Sequence, residues 1–140
     1  MKILGIDLGS KTVGMAISDY LEIVATPIGT STIEENNLVQ ALECVKIVVK
    51  ERDVKKIVLG LPKNMDGTEG YQSEYSLNFK KMLEEELKLP VVMLDERLTT
   101  RMAHSVMLQA DMSRNKRKQN VDKIAATIIL QTYLDTQARY

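Results

Sequence analysis

Three acids in this 140-residue chain are of the type and placement that do chemistry: Asp7, Glu96 and Asp122. Asp7 interrupts the β-rich, alternating run KILGIDL (Lys2 to Leu8), which otherwise reads as a central strand. A buried carboxylate with no partner is costly, so Asp7 calls for a hydrogen-bond network, a cation or a metal ion. Glycines at 5, 9 and 14 keep its surroundings open to a ligand or a second backbone. Taken alone, Asp7 also fits a turn-forming acid at a strand end. Asp95 and Glu96 close a second apolar run, VVMLDE (Val91 to Glu96). Adjacent strand residues face opposite sides, so at most one of the two shares a site with Asp7. Asp122 falls in the first turn of the last helix, where an acid also complements the helix dipole.

Together the three acids suggest a site for a hard divalent ion. Mg²⁺ prefers carboxylate oxygens, water and substrate phosphate to thiols and imidazoles. One histidine, His104, and one cysteine, Cys44, do not make a zinc cluster, and a serine-hydrolase triad would rest on that same histidine. Two ions about 4 Å apart would activate a water and stabilise a leaving oxygen. Cys44 sits at the edge of a helical apolar stripe and has no intrachain partner. It reads as a packed, inert thiol and fits a reducing cytoplasm.

The elements that must position these acids follow from pattern. Residues 2–8, 12–18 and 23–30 read as strands joined by short turns, hence antiparallel neighbours. Leu38, Leu42, Val45 and Val49 recur at helical spacing within 36–51. KIVLGLP (Lys56 to Pro62) is a short apolar strand that Pro62 ends. A loop over 63–70, a helix over 72–87 and a strand over 91–96 come next. Thr99 or Thr100 offers an N-cap for a helix over 101–110. Residues 111–120, DMSRNKRKQN, lack apolar periodicity and read as an exposed basic loop, and a last helix spans 121–136. The order predicts one α/β domain over 1–140, with a five-stranded mixed sheet and helices on both faces.

Composition sets bounds. Hydrophobic residues at 44% and charged residues at 27% are ordinary for a chain with a real core. No apolar run is long enough for a membrane span, and the N-terminus lacks a signal-peptide pattern. Net charge is zero, which speaks against a purely electrostatic nucleic-acid binder. The charge is uneven, however. Residues 1–100 carry 12 Lys/Arg against 16 Asp/Glu, and residues 101–140 carry 7 against 3. A basic end of this kind fits either a phosphate-facing surface or an ordinary solvated face.

Four blocks carry a family resemblance: GIDLGSKTVGMAISD (Gly5 to Asp19), VLGLPKNMDGTEG (Val58 to Gly70), LDERLTT (Leu94 to Thr100) and DKIAATIIL (Asp122 to Leu130). In order and spacing, over nearly the whole chain, they resemble the YqgF family, also called RuvX. The resemblance implies a ribonuclease H-like fold related to the RuvC Holliday junction resolvases. It carries a catalytic, metal-binding triad onto Asp7, Glu96 and Asp122, with Mg²⁺ or Mn²⁺ as cofactor. Members are cytoplasmic bacterial proteins described as Holliday junction resolvases or as nucleases for the 5′ end of pre-16S ribosomal RNA. Thr12 departs from the pattern, since an arginine often follows the lysine there, but Lys11 remains. The related resolvases use a fourth acid, for which Asp95 is a candidate here.

The implied activity is phosphodiester hydrolysis in structured nucleic acid, with 5′-end processing of precursor ribosomal RNA ahead of junction resolution on family grounds. Ribosome association would go with the RNA role, and the chain is expected as a monomer or homodimer. Lys11, Lys63, Arg97, Arg114, Lys116, Arg117 and Lys118 are the expected nucleic-acid contacts. Tyr71 and Tyr75 are of a type that stacks on bases, though helix packing is expected for at least one. Two other classes fit parts of the pattern. GxDxG motifs open sugar kinases and actin-like ATPases, but those need two such lobes. A non-catalytic RNA- or ribosome-associated module would not need all three acids.

Overall fold

The computed structural model describes residues 1–61, 71–95 and 114–137, and for 71–72 and 114–123 the backbone alone. In chain order these form β1 (Lys2–Leu8), β2 (Thr12–Ser18), β3 (Ala25–Thr32), α1 (Leu38–Arg52), β4 (Val54–Leu61), α2 (Tyr71–Leu87), β5 (Val91–Asp95) and α3 (Arg114–Gln137). The strands make one sheet in the order β3-β2-β1-β4-β5. β1 pairs antiparallel with β2, and β2 with β3, whereas β1–β4 and β4–β5 are parallel. Hairpin turns impose the first arrangement, and crossovers through α1 and α2 accompany the second.

Strand alternation splits the apolar residues between two faces. Leu4, Ile6, Leu8, Ile57 and Leu59 point to one side, where Val45 of α1 and Tyr75, Phe79 and Leu83 of α2 cover them. Ile3, Ala16 and Val58 point to the other, against Ala126, Ile129, Leu130, Tyr133 and Leu134 of α3. Full burial of each large side chain contributes roughly 1.5–3 kcal/mol. The sheet therefore carries helices on both faces, as expected. Cys44 is half-buried against the α1/α2 core, consistent with a packed thiol.

Local chemistry sets the element ends. The Gly9 amide donates to the Thr12 carbonyl at 2.8 Å, and a Cβ at Gly9 would lie 2.8 Å from Thr12 Oγ1, so a larger residue there would have to displace the Thr12 hydroxyl. The Asn37 side chain accepts from the Gln40 amide and caps α1. Lys46 of α1 pairs with Glu86 of α2 at 3.2 Å.

Several bounds differ from expectation by one or two residues, among them the start of β4 at Val54 instead of Lys56, and two differences have a clear physical reason. β3 begins at Ala25 instead of Ile23, because the Asp19 carboxylate accepts from the amides of Ile23 and Val24 and folds both into the preceding loop. These amides hold the Asp19 carboxyl below its ordinary pKa, the Ile23 bond contributing most. The second difference is larger. Residues 114–120, expected as a basic loop, are the first two turns of α3. Lys, Arg and Gln are good helix formers. An apolar stripe is needed only where a helix packs, and among the described side chains of α3 the buried ones run from Ala125 to Leu134. The loop over 63–70, the helix over 101–110 with its Thr99 or Thr100 cap, Pro62 and His104 lie outside the described residues.

Candidate active site

Asp7 is the next-to-last residue of the central strand, half-buried, on the face that α3 covers. Its parity follows from Ile3, which packs under α3, and from Gly5, whose Cβ would strike Leu130. Across the sheet Asp7 stands opposite Gly14 of β2. On the other side the β1–β4 register, Ile6 with Leu59, brings Gly60 into step with Asp7, and Gly60 pairs with Leu94 of β5. The carboxylate thus has buried glycines on both neighbouring strands, and Gly5 before it on its own. Sequence reasoning missed Gly60. Its signal was a glycine inside the otherwise apolar run KIVLGLP.

The parallel strands β1, β4 and β5 end at the same edge of the sheet. On β5, Val91 and Met93 pack into the α1/α2 core, and Val92 and Leu94 toward α3. By the same alternation Asp95 takes the α1/α2 side, opposite in parity to Asp7. Glu96 directly follows Asp95 and lies outside the described residues, as do Lys63 and Arg97.

α3 runs antiparallel to β1. Tyr133 reaches Lys56, which pairs with Ile3, while Ala126 and Leu130 lie over Gly5. Position 122 is one helical turn before Ala126, about 6 Å further along the axis, toward the Asp7 end. Arg114, Lys116, Arg117 and Lys118 occupy the first turns of α3, beyond position 122 in the same direction. Among the described residues no group of three or more His, Cys, Asp or Glu is placed to hold a metal ion.

Lys11 is exposed in the β1–β2 turn, at the same edge as Asp7. The turn is braced from three sides. Ile33 donates to the Lys11 carbonyl at 2.8 Å, Asn36 to the Ser10 carbonyl at 2.7 Å, and the Tyr75 hydroxyl to the Gly9 carbonyl at 3.3 Å. Tyr75 is buried, so it packs; Tyr71 begins α2 and its side chain is outside the described set.

A model of the RuvX family, described as "Holliday junction resolvase", matches residues 1–136. The chain belongs to the RuvX family. A Clostridium beijerinckii protein named "Putative pre-16S rRNA nuclease" is 52% identical over 139 residues, covering 99% of each chain. A Geobacillus protein of the same name is 47% identical over 137 residues, covering 98% of this chain and 99% of its own. Among solved structures, a Thermus thermophilus RuvC in complex with Holliday junction substrate superposes with a TM-score of 0.58 at 13% identity, over 99% of this chain and 97% of its own. The fowlpox virus resolvase in complex with Holliday junction DNA gives 0.59 at 18%, over 99% and 100%. The fold of this RuvX-family chain is therefore ribonuclease H-like, with a five-stranded mixed sheet. No described helix is long and apolar enough to cross a membrane.

Proposed function

We propose that this chain is a divalent-metal-dependent nuclease that hydrolyses phosphodiester bonds in structured RNA, with 5′-end processing of precursor 16S ribosomal RNA as its role. The observation that carries the reading is the setting of Asp7, a half-buried carboxylate between glycine-lined strands at the sheet edge that position 122 of α3 approaches. Family membership and the nuclease names of relatives near 50% identity support hydrolysis of nucleic acid. The names of those relatives also put RNA ahead of junction DNA.

Asp7, Glu96 and Asp122 would hold Mg²⁺ or Mn²⁺. Their all-oxygen donor set suits a hard cation, and the parity of Asp95 on the opposite face favours Glu96 as the acid from the end of β5. When bound, the ion supplies Lewis-acid stabilisation of the phosphate and lowers the pKa of a coordinated water. Asp7 contributes a fixed negative charge on a central strand, so little reorganisation is needed. The flanking glycines leave its carboxylate approachable. Lys11, Lys63, Arg97, Arg114, Lys116, Arg117 and Lys118 are the proposed phosphate contacts. At the start of α3 the helix dipole adds to the positive charge of the last four.

The chain is read as a single domain over 1–140 that acts in the cytoplasm as a monomer or homodimer near the ribosome. The test is cleavage of a precursor ribosomal RNA 5′ segment and of a four-way DNA junction, with Mg²⁺, Mn²⁺ or chelator. Metal-dependent cleavage of the RNA, absent in Asp7→Asn, is the expected result. Cleavage of the junction alone would transfer the role to DNA. RNA binding without cleavage in either metal would make the chain a binding module.

A further inference from the structure

We propose that the tip of the β2–β3 hairpin is the contact surface of a homodimer, seated on the same tip of a second copy of this chain. Seven large hydrophobic residues are exposed among those described, and five of them gather here. Met1, Tyr20, Leu21, Ile23 and Val24 are each between 50% and 75% exposed. The other two, Val39 and Ile47, lie apart from this tip on α1. A hairpin tip is ordinarily built of Gly, Asn, Asp and Ser, whereas residues 19–24 here read DYLEIV.

The backbone of the tip is tied down from three sides. The Asp19 carboxylate accepts from the Ile23 amide at 2.8 Å and the Val24 amide at 3.1 Å. From α3, Gln131 Nε2 donates to the Ile23 carbonyl at 2.8 Å, and its Oε1 accepts from the Ala25 amide at 2.9 Å. The N-terminal ammonium donates to the Tyr20 carbonyl at 3.2 Å, which sets Met1 beside the turn. A surface held in this way leaves little backbone for a partner to order on contact.

Charge and area point to a second copy as the occupant. Lys2 Nζ lies 4.7 Å from the centre of the Tyr20 ring, and the N-terminal ammonium 3.7 Å from the Glu22 carboxylate. With Asp19, the tip thus carries two charges of each sign, which gives no net attraction for a phosphate backbone or an anionic lipid surface. A two-fold axis sets a patch against itself, so a balanced patch is tolerated where a patch of one sign would repel. At their observed exposure the five residues present on the order of 500 Å², in the range of the largest patch on a monomer. Two copies would bury roughly 1,000 Å², the lower bound for a specific, reversible interface. Extension of the sheet is a poorer route. β3 is an edge strand, but Pro27 lacks a donor and the register shift at Met15 and Ala16 breaks its ladder. The tip lies where β1 begins and Asp7 near where it ends, about 20 Å away, so the dimer leaves both Asp7 edges open.

The test is sedimentation velocity of the full chain over a concentration series, without metal or nucleic acid, so its outcome is separate from the fate of the three acids. The wild type should exchange reversibly between monomer and dimer with a Kd on the order of 10 µM. Leu21→Glu should weaken association roughly tenfold or more, because it sets like charges in one contact. Ile23→Lys should do the same, and it carries the test if Leu21→Glu does not fold. Val39→Glu, a comparable change on α1, should leave the dimer intact. A wild type that stays monomeric into the high micromolar range overturns the proposal, and if that monomer binds neutral phosphatidylcholine vesicles through Leu21, the tip belongs to a lipid surface. Association that the folded tip variants leave unchanged, or that Val39→Glu weakens equally, also overturns it.

Discussion

The Tyr75 hydroxyl of α2 donates to the carbonyl oxygen of Gly9, two residues after Asp7, at 3.3 Å. A buried side chain of the α1/α2 layer thereby holds the turn that follows the candidate carboxylate on the opposite face. Tyr75→Phe keeps the ring in the core and removes the donor. It should cost about 0.5–1.5 kcal/mol, as for one hydrogen bond. Urea unfolding measures this. Because the turn follows Asp7 directly, the same change should lower kcat more than it raises KM. Equal loss of kcat in a surface control of matched stability would show that the turn is not involved.

Asp7→Asn preserves size and removes the charge. Cleavage should fall by an amount equivalent to a few kcal/mol or more of transition-state stabilisation, on the order of 10²-fold at least. Folding without metal should be unchanged or slightly improved, since clustered carboxylates repel one another. Single-turnover cleavage and a thermal melt in chelator separate the two effects. Near-normal cleavage by this variant would end the case for Asp7 as a ligand.

Lys116, Arg117 and Lys118 sit near the positive end of the α3 dipole, with no acid in the first turn. Cations there are unfavourable, by roughly 0.3–1 kcal/mol each close to the terminus. Alanine is also the better helix former. The triple alanine variant should therefore melt slightly higher while binding RNA more weakly. Each lost phosphate contact should flatten the log–log salt dependence by roughly 0.7–0.9, and the loss should not depend on base sequence. An unchanged salt slope would move the binding face elsewhere, toward Lys11.

Asp19 gives the clearest pH dependence. Its folded pKa is lowered, chiefly by the Ile23 amide and then by the Val24 amide. The associated stability is therefore present above the unfolded carboxylate value of about 3.9 and is lost as pH falls through the lower, folded value. Asp19→Asn cannot titrate. The stability difference between wild type and variant should be constant near neutrality and shrink as the solution is acidified below pH about 4. Faster amide exchange at Ile23 and Val24 in acid, in the wild type alone, is the local readout. A difference that does not change with pH would remove Asp19 from the acid response.

Local chemistry made part of this protein readable from sequence. The bounds of β1 and β2 follow from β-rich runs on either side of the Gly9-Ser10-Lys11 turn, and both are observed as expected. The oddity of Asp7 was also legible, because a carboxylate in an apolar strand is costly wherever the strand lies. Tertiary structure decided what depends on neighbours distant in sequence. Alternation required Asp95 and its successor to face opposite ways, but the side that Asp95 takes depends on the pairing of Val91 with Ile57 and of Val92 with Val58. The flanking of Asp7 by Gly60 depends on the β1–β4 register, across more than fifty residues of chain. The start of α3 at Arg114 escaped a reading based on apolar periodicity, because residues 111–120 carry no apolar repeat and that signal reports packing, not helix extent. Periodicity records which side of an element meets the core; register and helix length beyond the core are set by contacts that a linear pattern does not contain.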